Sequence, residues 1–269
     1  MTNKIAILVT TMLRDELLDT CIDAMLEHLP ENSTIFIADQ SPKMTLDKKL
    51  HIFNKYADKP VCYYKLDYNC GLSYARNYLV ERAFEHECKY CVLAADNMIF
   101  NEKTENLDSY IPVLEGSKPK DLVGFHLAGP LIYWVGWLGL KPGQFFTLDF
   151  IDRSAVKPGR ANWFDCNIVH NFFLATTQSL RKVKWDDNLK QAEHEDFFYR
   201  YAKAGYKCVW TPDVSCDYII DRTEDFDQVR KNNRKEGLAT LYQKYKIKMW
   251  ISRSNEKNGL YGVIKKDCA

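Results

Sequence analysis

The sequence predicts an α/β protein: a mostly parallel sheet with helices on both faces, merged with a smaller antiparallel half. Over residues 1–100, short apolar runs alternate with segments of helical period, joined by short polar links. After residue 100 the alternation is lost, and apolar runs follow one another across turn signals such as Pro142-Gly143. The composition, 46% hydrophobic and 27% charged over 269 residues, leaves ample material for a core.

Residues 4–10 (KIAILVT) read as the first strand. A helix follows over 15–29, where Leu18, Cys21, Ile22, Met25 and Leu29 share one face, until Pro30 and Asn32 stop it. Residues 34–38 (TIFIA) form the next strand, closed by Asp39; 45–57 form a short helix; 61–66 (VCYYKL) form a third strand. Gly71 and Ser73 open a helix that runs to about residue 86, with Ser73 as the expected N-cap. Residues 90–94 are a fourth strand, and 101–118 are polar and expected to loop over the surface. Within 121–150, DLVGFHL, LIYWVGW and QFFTLDF read as antiparallel strands, followed by a loop at 152–162 and a strand at 168–175. A helix opens with acids at 193–204, strands at 207–210 and 214–219 flank Pro212, and a last helix spans 224–246.

Residues 1–221 are expected to form one domain, about 1–100 and 101–221 making its two halves, with 222–269 a basic helical extension packed on it. The charge supports that division. Residues 1–221 carry 25 Lys and Arg against 30 Asp and Glu, whereas 222–269 carry 12 against 6, which suits an anionic partner near the tail. The overall charge of +1 argues against a general nucleic-acid binder. Of the nine cysteines, Cys62, Cys91 and Cys208 sit inside apolar strands, so reduced core thiols are expected. The chain opens on a strand rather than a signal peptide, and its most apolar stretch, 129–140, is too short to span a bilayer; a cytoplasmic protein without a membrane span is the expectation.

In open parallel sheets ligands bind outside the carboxyl ends of the strands. Three polar pairs fall at such ends: Thr10-Thr11, Asp39-Gln40 and Asp96-Asn97. Their convergence predicts a site on that edge before any chemistry is assigned.

Four segments then carry a resemblance: DYNCGLSYARNYLVERA, YCVLAADNMIF, VHNFFLATTQSLRKVKWDDNLKQAEHEDFFYRYAKAGY and TPDVSCDY. In order, over about residues 4–245, they resemble GT-A fold inverting glycosyltransferases, family 2-like, and are similar to β1,4-N-acetylgalactosaminyltransferases. The resemblance implies transfer of GalNAc, GlcNAc or Gal from a UDP-sugar to the hydroxyl of a glycan or glycoconjugate acceptor. It implies donor-binding roles for Thr10, Thr11 and Arg14 after the first strand, and for Asp39, whose lone pairs can accept from the uracil imide. Arg76, Asn77, Asp96 and Asn97 would also face the donor. The Glu195-Asp196 pair would supply the base, Asp196 taking the acceptor proton and Glu195 binding the acceptor or exchanging roles with it; His194 would orient an acid or bind sugar.

Two departures from the family pattern concern a metal. The family's Asp-x-Asp or Asp-Asp-Asp triplet is Ala95-Asp96-Asn97 here, and the usual late His is Tyr218. One carboxylate and one amide make a poor cage for Mn²⁺ or Mg²⁺, so Asp96 and Asn97 are expected to bind metal weakly or not at all. Cations of the tail, Arg222, Arg230 and Arg234 with Lys231 and Lys235 on an adjacent face, could take over neutralisation of the diphosphate. Tyr133, Trp134, Trp137, Trp163 and Phe164 are candidate acceptor walls, whereas Phe197, Phe198 and Tyr201 read as core. A competing reading is an inactive nucleotide-sugar or glycan-binding module, which the eroded triplet suits and the retained Glu195-Asp196 pair disfavours. A nucleotidyltransferase would carry a glycine-rich loop after the first strand, and TTMLRDELL has none.

Overall fold

The computed structural model describes residues 4–42, 46–128, 135–141, 145–150, 163–220, 223–253 and 264–267. The elements run β1 (Ile5–Thr11), α1 (Asp15–His28), β2 (Ser33–Asp39), α2 (Leu46–Lys55), β3 (Val61–Lys65), α3 (Leu72–Glu85), β4 (Tyr90–Ala95) and β5 (Met98–Ile99). A 3-10 turn (Leu107–Tyr110) leads into α4 (Ile111–Glu115), then β6 (Leu122–Ala128), β7 (Gly136–Lys141), β8 (Phe145–Phe150), β9 (Phe164–Cys166), β10 (Phe173–Thr176) and α5 (Thr177–Val183). The chain ends with α6 (Glu193–Lys203), β11 (Cys208–Tyr218), α7 (Glu224–Tyr245), β12 (Met249–Arg253) and β13 (Ile264–Asp267).

The expected α/β architecture is present. The main sheet has the order β3-β2-β1-β4-β10-β6-β11-β5, with β9 paired to β11. Strands β3, β2, β1 and β4 are mutually parallel, and β10 lies antiparallel between β4 and β6. Alternation along β1 sends Ala6 and Leu8 to one core and Ile5, Ile7 and Val9 to the other. Such runs, apolar on both faces, are what a sheet covered by helices on both sides requires.

Several local expectations are corrected. The strands of 121–150 do not form one antiparallel set: β6 enters the main sheet, parallel to β11, while β7 and β8 start a second sheet of order β13-β12-β8-β7. The reason lies in β6, which is buried along most of its length and needs partners on both edges. Pro212 does not break β11, because a register shift between Trp210 and Ser215 absorbs it. Residues 101–118 contain the 3-10 turn and α4, and α5 follows β10, capped by the Thr176 hydroxyl accepting from the Ser179 N–H. Beyond α7 the chain adds two strands rather than further helix.

Ser73 is not the cap of α3. Gly71 occupies that place with φ +101, where a Cβ would also stand 2.8 Å from the Lys190 side chain. The Ser73 hydroxyl instead donates to the Leu189 carbonyl at 2.6 Å and ties α3 to the segment leading into α6. The eight described cysteines are free thiols, and no described helix is long and apolar enough to cross a membrane.

Helix α7 is fastened to the domain along its length. Asn233 and Asn69 exchange amide hydrogen bonds, at 2.6 and 3.3 Å. Near the helix end, Lys244 pairs with Asp186 at 2.5 Å and Asp196 at 2.7 Å, and the Tyr245 hydroxyl donates to Asp196 at 2.7 Å. Between these points Gly237 is buried against the 191–192 turn, where a Cβ would stand 2.0 Å from the Gln191 carbonyl oxygen. Gly237→Ala would favour an isolated helix by about 1 kcal/mol. Here it should instead destabilise the protein by about 1–3 kcal/mol, because backbone must move to admit the methyl. Thermal denaturation of the variant is the check, and an unchanged or raised Tm would show that α7 does not seat on this turn.

Candidate active site

A cavity of about 360 Å³ opens at the carboxyl edge of β1, β2 and β4, where Thr10, Thr11, Gln40, Ala95 and Asn97 line it. Its opposite walls are the start of α3, with Gly71 and Arg76, and the first turn of α6, with Glu193, His194 and Glu195. Helix α7 closes one side through Phe226, Arg230, Asn233 and Arg234, which share a helix face at spacings of four, three and one.

At the end of β4 adjacent residues meet different surroundings. Ala95 and Asn97 line the cavity, whereas Asp96 does not and is fully buried. The Asp96 carboxylate is ion-paired with Arg14; burial raises its pKa, against the lowering pull of that guanidinium. Arg14 lines the cavity and stacks over the Phe226 ring at 4.2 Å from its centroid. The Asn97 amide donates to the Ile219 carbonyl at 2.9 Å, while the Ile219 N–H donates to the Asn97 carbonyl at 2.9 Å, so Asn97 braces the strand end against the chain beyond β11. Asp96 therefore stands behind the cavity wall as the counter-ion of Arg14, with its Oδ2 left without a hydrogen-bond partner among the described residues. Among the described residues no group of three His, Cys, Asp or Glu side chains converges as a cation site. With a methyl and a committed amide on the cavity side and Tyr218 near them, this strand end does not fit a divalent ion.

The end of β2 shows the same offset. Asp39 is fully buried, its carboxylate accepting from the Ser41 N–H at 2.8 Å and from the Tyr63 hydroxyl at 2.5 Å. Gln40 lines the cavity in its stead and accepts from the Gly71 N–H at 2.7 Å. On α3, Arg76 is at the cavity, buried, paired with Glu193 at 2.6 Å and set over the Trp185 ring. Asn77 is not at the cavity: its amide bonds the Trp185 backbone on both sides and Asp187, which makes it a brace for the segment before α6.

The acids of α6 point in different directions. Glu193 is held by Arg76. Asp196 is fully buried and absent from the cavity wall; its carboxylate accepts from Arg200 at 2.8 Å, Lys244 at 2.7 Å and Tyr245 at 2.7 Å. Glu195 is the carboxylate left facing the cavity without an ion-pair partner among the described residues. Burial, with a smaller push from Glu193, lifts its pKa to about 7 against the lowering effect of its own N–H and of Arg234. His194 lines the cavity beside it, with Nδ1 2.7 Å from the Asn171 Oδ1. Burial and then Arg76 lower its pKa to about 3, so the ring is neutral at working pH.

Arg230 and Arg234 are at the cavity, while Lys231 and Lys235 are exposed on other faces of α7. Trp137 and Trp163 are not brought to the wall: Trp137 is exposed on β7, and Trp163 packs on Tyr110 with centroids 5.1 Å apart. Phe164 packs on Trp210, and Phe197, Phe198 and Tyr201 are core, as read from the sequence. Tyr133, Trp134 and Arg222 lie outside the described residues. Gln40 belongs to one of the polar pairs the sequence singled out, whereas sequence reasoning missed Asn69, Asn171, Phe226 and Asn233 as wall residues. For the last two a signal existed, since they share a helical face with Arg230 and Arg234; the others are single amides in loops.

No family model matches the chain. It is 27% identical over 205 residues to β-1,4 N-acetylgalactosaminyltransferase 2 of Mus musculus, covering 73% of this chain and 36% of that protein. The chain thus spans about a third of the length of the curated relatives it matches. Among solved structures it is similar to GalNAc-T7 with UDP, GalNAc and Mn²⁺, at 13% identity and a TM-score of 0.61 over 85% of this chain and 47% of that one. It is also similar to S. aureus TarS 1–349 in complex with UDP-GlcNAc, at 14% identity and a TM-score of 0.57 over 87% of this chain and 66% of that one. The fold is that of GT-A glycosyltransferases.

The raised Glu195 pKa makes a stability prediction independent of activity. Between the ordinary glutamate value of 4.5 and about 7, the unfolded chain loses a proton that the folded chain keeps. Stability therefore falls as pH rises through that window and stays lower above it, by up to about 3 kcal/mol. Glu195→Gln removes that dependence. Urea unfolding should show the variant gaining on the wild type as pH is raised from 4.5 to 7; a constant difference between the two would contradict the assignment.

Proposed function

We propose that this chain is an inverting glycosyltransferase that moves a sugar from a UDP-sugar to an acceptor hydroxyl, with Glu195 as the base. UDP-GalNAc, UDP-GlcNAc and UDP-Gal are the donors to test first, because the similar proteins carry N-acetylgalactosaminyltransferase names or are solved with UDP-GlcNAc or UDP and GalNAc. The observation that carries the reading is the contrast between two adjacent acids. Glu195 is at the cavity with its pKa lifted to about 7, while Asp196 is enclosed by Arg200, Lys244 and Tyr245. A base poised near working pH combines a large ionised fraction with useful proton affinity.

In the proposed reaction the acceptor O–H gives its proton to the Glu195 carboxylate as its oxygen bonds to the anomeric carbon. The bond from that carbon to the diphosphate oxygen breaks on the opposite face, its electron pair leaving with UDP. The neutral His194 ring, positioned by Asn171, offers hydrogen bonds to sugar hydroxyls rather than a proton. Gln40 and the Thr10-Thr11 segment form the wall nearest the nucleotide in this reading.

Glu195→Gln should lower kcat by about 10²–10⁴-fold. UDP affinity, measured by calorimetry, should stay within about threefold. The wild-type kcat/KM should rise with pH to a plateau above about 7, since the carboxylate must be ionised to act. Asp196→Asn should act differently: it removes the anion shared by Arg200, Lys244 and Tyr245, and should lower Tm and loosen α7. Full turnover by Glu195→Gln would end the assignment, and UDP binding without any transfer by the wild type would favour a binding module.

A further inference from the structure

We propose that the charge of the leaving diphosphate is met in this protein by Arg14, Arg230 and Arg234 in place of a divalent cation. The proposal rests on the nucleotide-sugar reading of the cavity. It starts from where the cations are. Among the described residues the cavity is lined by five, Arg14, Arg76, Lys190, Arg230 and Arg234, against the carboxylates Glu193 and Glu195. Arg76 is committed to Glu193 at 2.6 Å, and Arg14 to Asp96.

The Arg14–Asp96 pair sits where the strand end would otherwise present acids to a metal. A metal held by two carboxylates brings no net charge beyond theirs, and neither does this pair, so the surplus must come from elsewhere. Arg230 and Arg234 bring two further guanidinium groups to the same cavity from one face of α7. Arg14 also keeps a buried Nε–H with no hydrogen-bond partner among the described residues. An unmet donor of that kind is costly until an acceptor arrives, and a phosphate oxygen is a strong one. Phe226, one turn before Arg230, covers the Arg14 guanidinium and fixes it relative to the helix that carries the other two. Guanidinium groups match phosphate geometry through paired N–H donors and need no recruitment from solution.

The test uses calorimetry on the full chain with two probes, UDP and uridine, each in EDTA and in Mn²⁺. UDP should bind in EDTA with a Kd that Mn²⁺ changes by less than about threefold. Arg230→Gln/Arg234→Gln should weaken UDP by at least about 100-fold, as expected for two charge-assisted hydrogen bonds. Uridine, which lacks the phosphates, should bind the variant as it binds the wild type, and that result also reports an intact fold. Lys231→Gln/Lys235→Gln, on the exposed faces, should leave UDP affinity within about threefold. UDP binding that requires Mn²⁺, or equal losses for UDP and uridine in the arginine variant, would overturn the proposal. Failure of the wild type to bind either probe under both conditions would instead overturn the nucleotide reading beneath it.

Discussion

The Asp196 carboxylate is the point on which this cavity is hung. It is fully buried and receives three donors, two of them from the end of α7 and one from Arg200 on its own helix. Removing one member of a buried ionic cluster typically costs about 3–5 kcal/mol, because the remaining charges are left in low dielectric. That anchor sets where α7 ends, and the seating of Gly237 on the 191–192 turn sets its height above the sheet. The turn in question contains Ala192 in a left-handed conformation, φ 62, a position that costs a non-glycine residue about 1–2 kcal/mol. Helix α7 packs against the same residues, so the start of α6 and the lie of α7 are one problem with one solution.

That coupling explains how neighbouring acids come to differ. Along an α-helix each residue is turned about 100° from the last. Glu193, Glu195 and Asp196 therefore meet three environments: the Arg76 guanidinium, the cavity, and the α7 anchor. The helix N-terminus favours negative charge at all three positions. Of the three, only Glu195 lacks an ion-pair partner among the described residues, and burial then dominates, lifting its pKa to about 7. A base near neutrality is thus the consequence of what its neighbours have been given, not of a partner of its own.

Alternation of strands and helices, and the polar ends of β1, β2 and β4, placed the cavity edge from sequence alone. What pattern could not supply was the phase of each side chain at those ends. Asp39 and Asp96 both stand out in the sequence as acids closing apolar strands. Both are fully buried behind the wall, bound to Tyr63 and Ser41 in one case and to Arg14 in the other, while Gln40 and the pair Ala95 and Asn97 face the cavity. Which of two neighbouring side chains turns inward at such an end is tied to contacts distant in sequence, 24 residues for Tyr63 and 82 for Arg14. β6 escaped its correct sheet for a related reason: its partners, β10 and β11, lie far along the chain, and local turn signals favoured the neighbour β7.

Asp39, Asp96 and Asp196 share a physical logic. An aspartate is short, and when buried it must be paired or hydrogen-bonded. Each of these three is paired or hydrogen-bonded through at least one carboxylate oxygen, Asp39 to Tyr63, Asp96 to Arg14, and Asp196 to Lys244 and Tyr245 at the end of α7. The residues next to them in sequence, Gln40, Asn97 and Glu195, are the ones that line the cavity. Placing the buried acid next to the contact residue keeps the support within one step of the contact it positions, so a shift in α7 reaches both the Arg14 end of the cavity, through Phe226, and the Glu195 end, through Gly237 and Asp196. The two ends of the proposed reaction, the leaving diphosphate and the acceptor hydroxyl, are in this way set by a single helix.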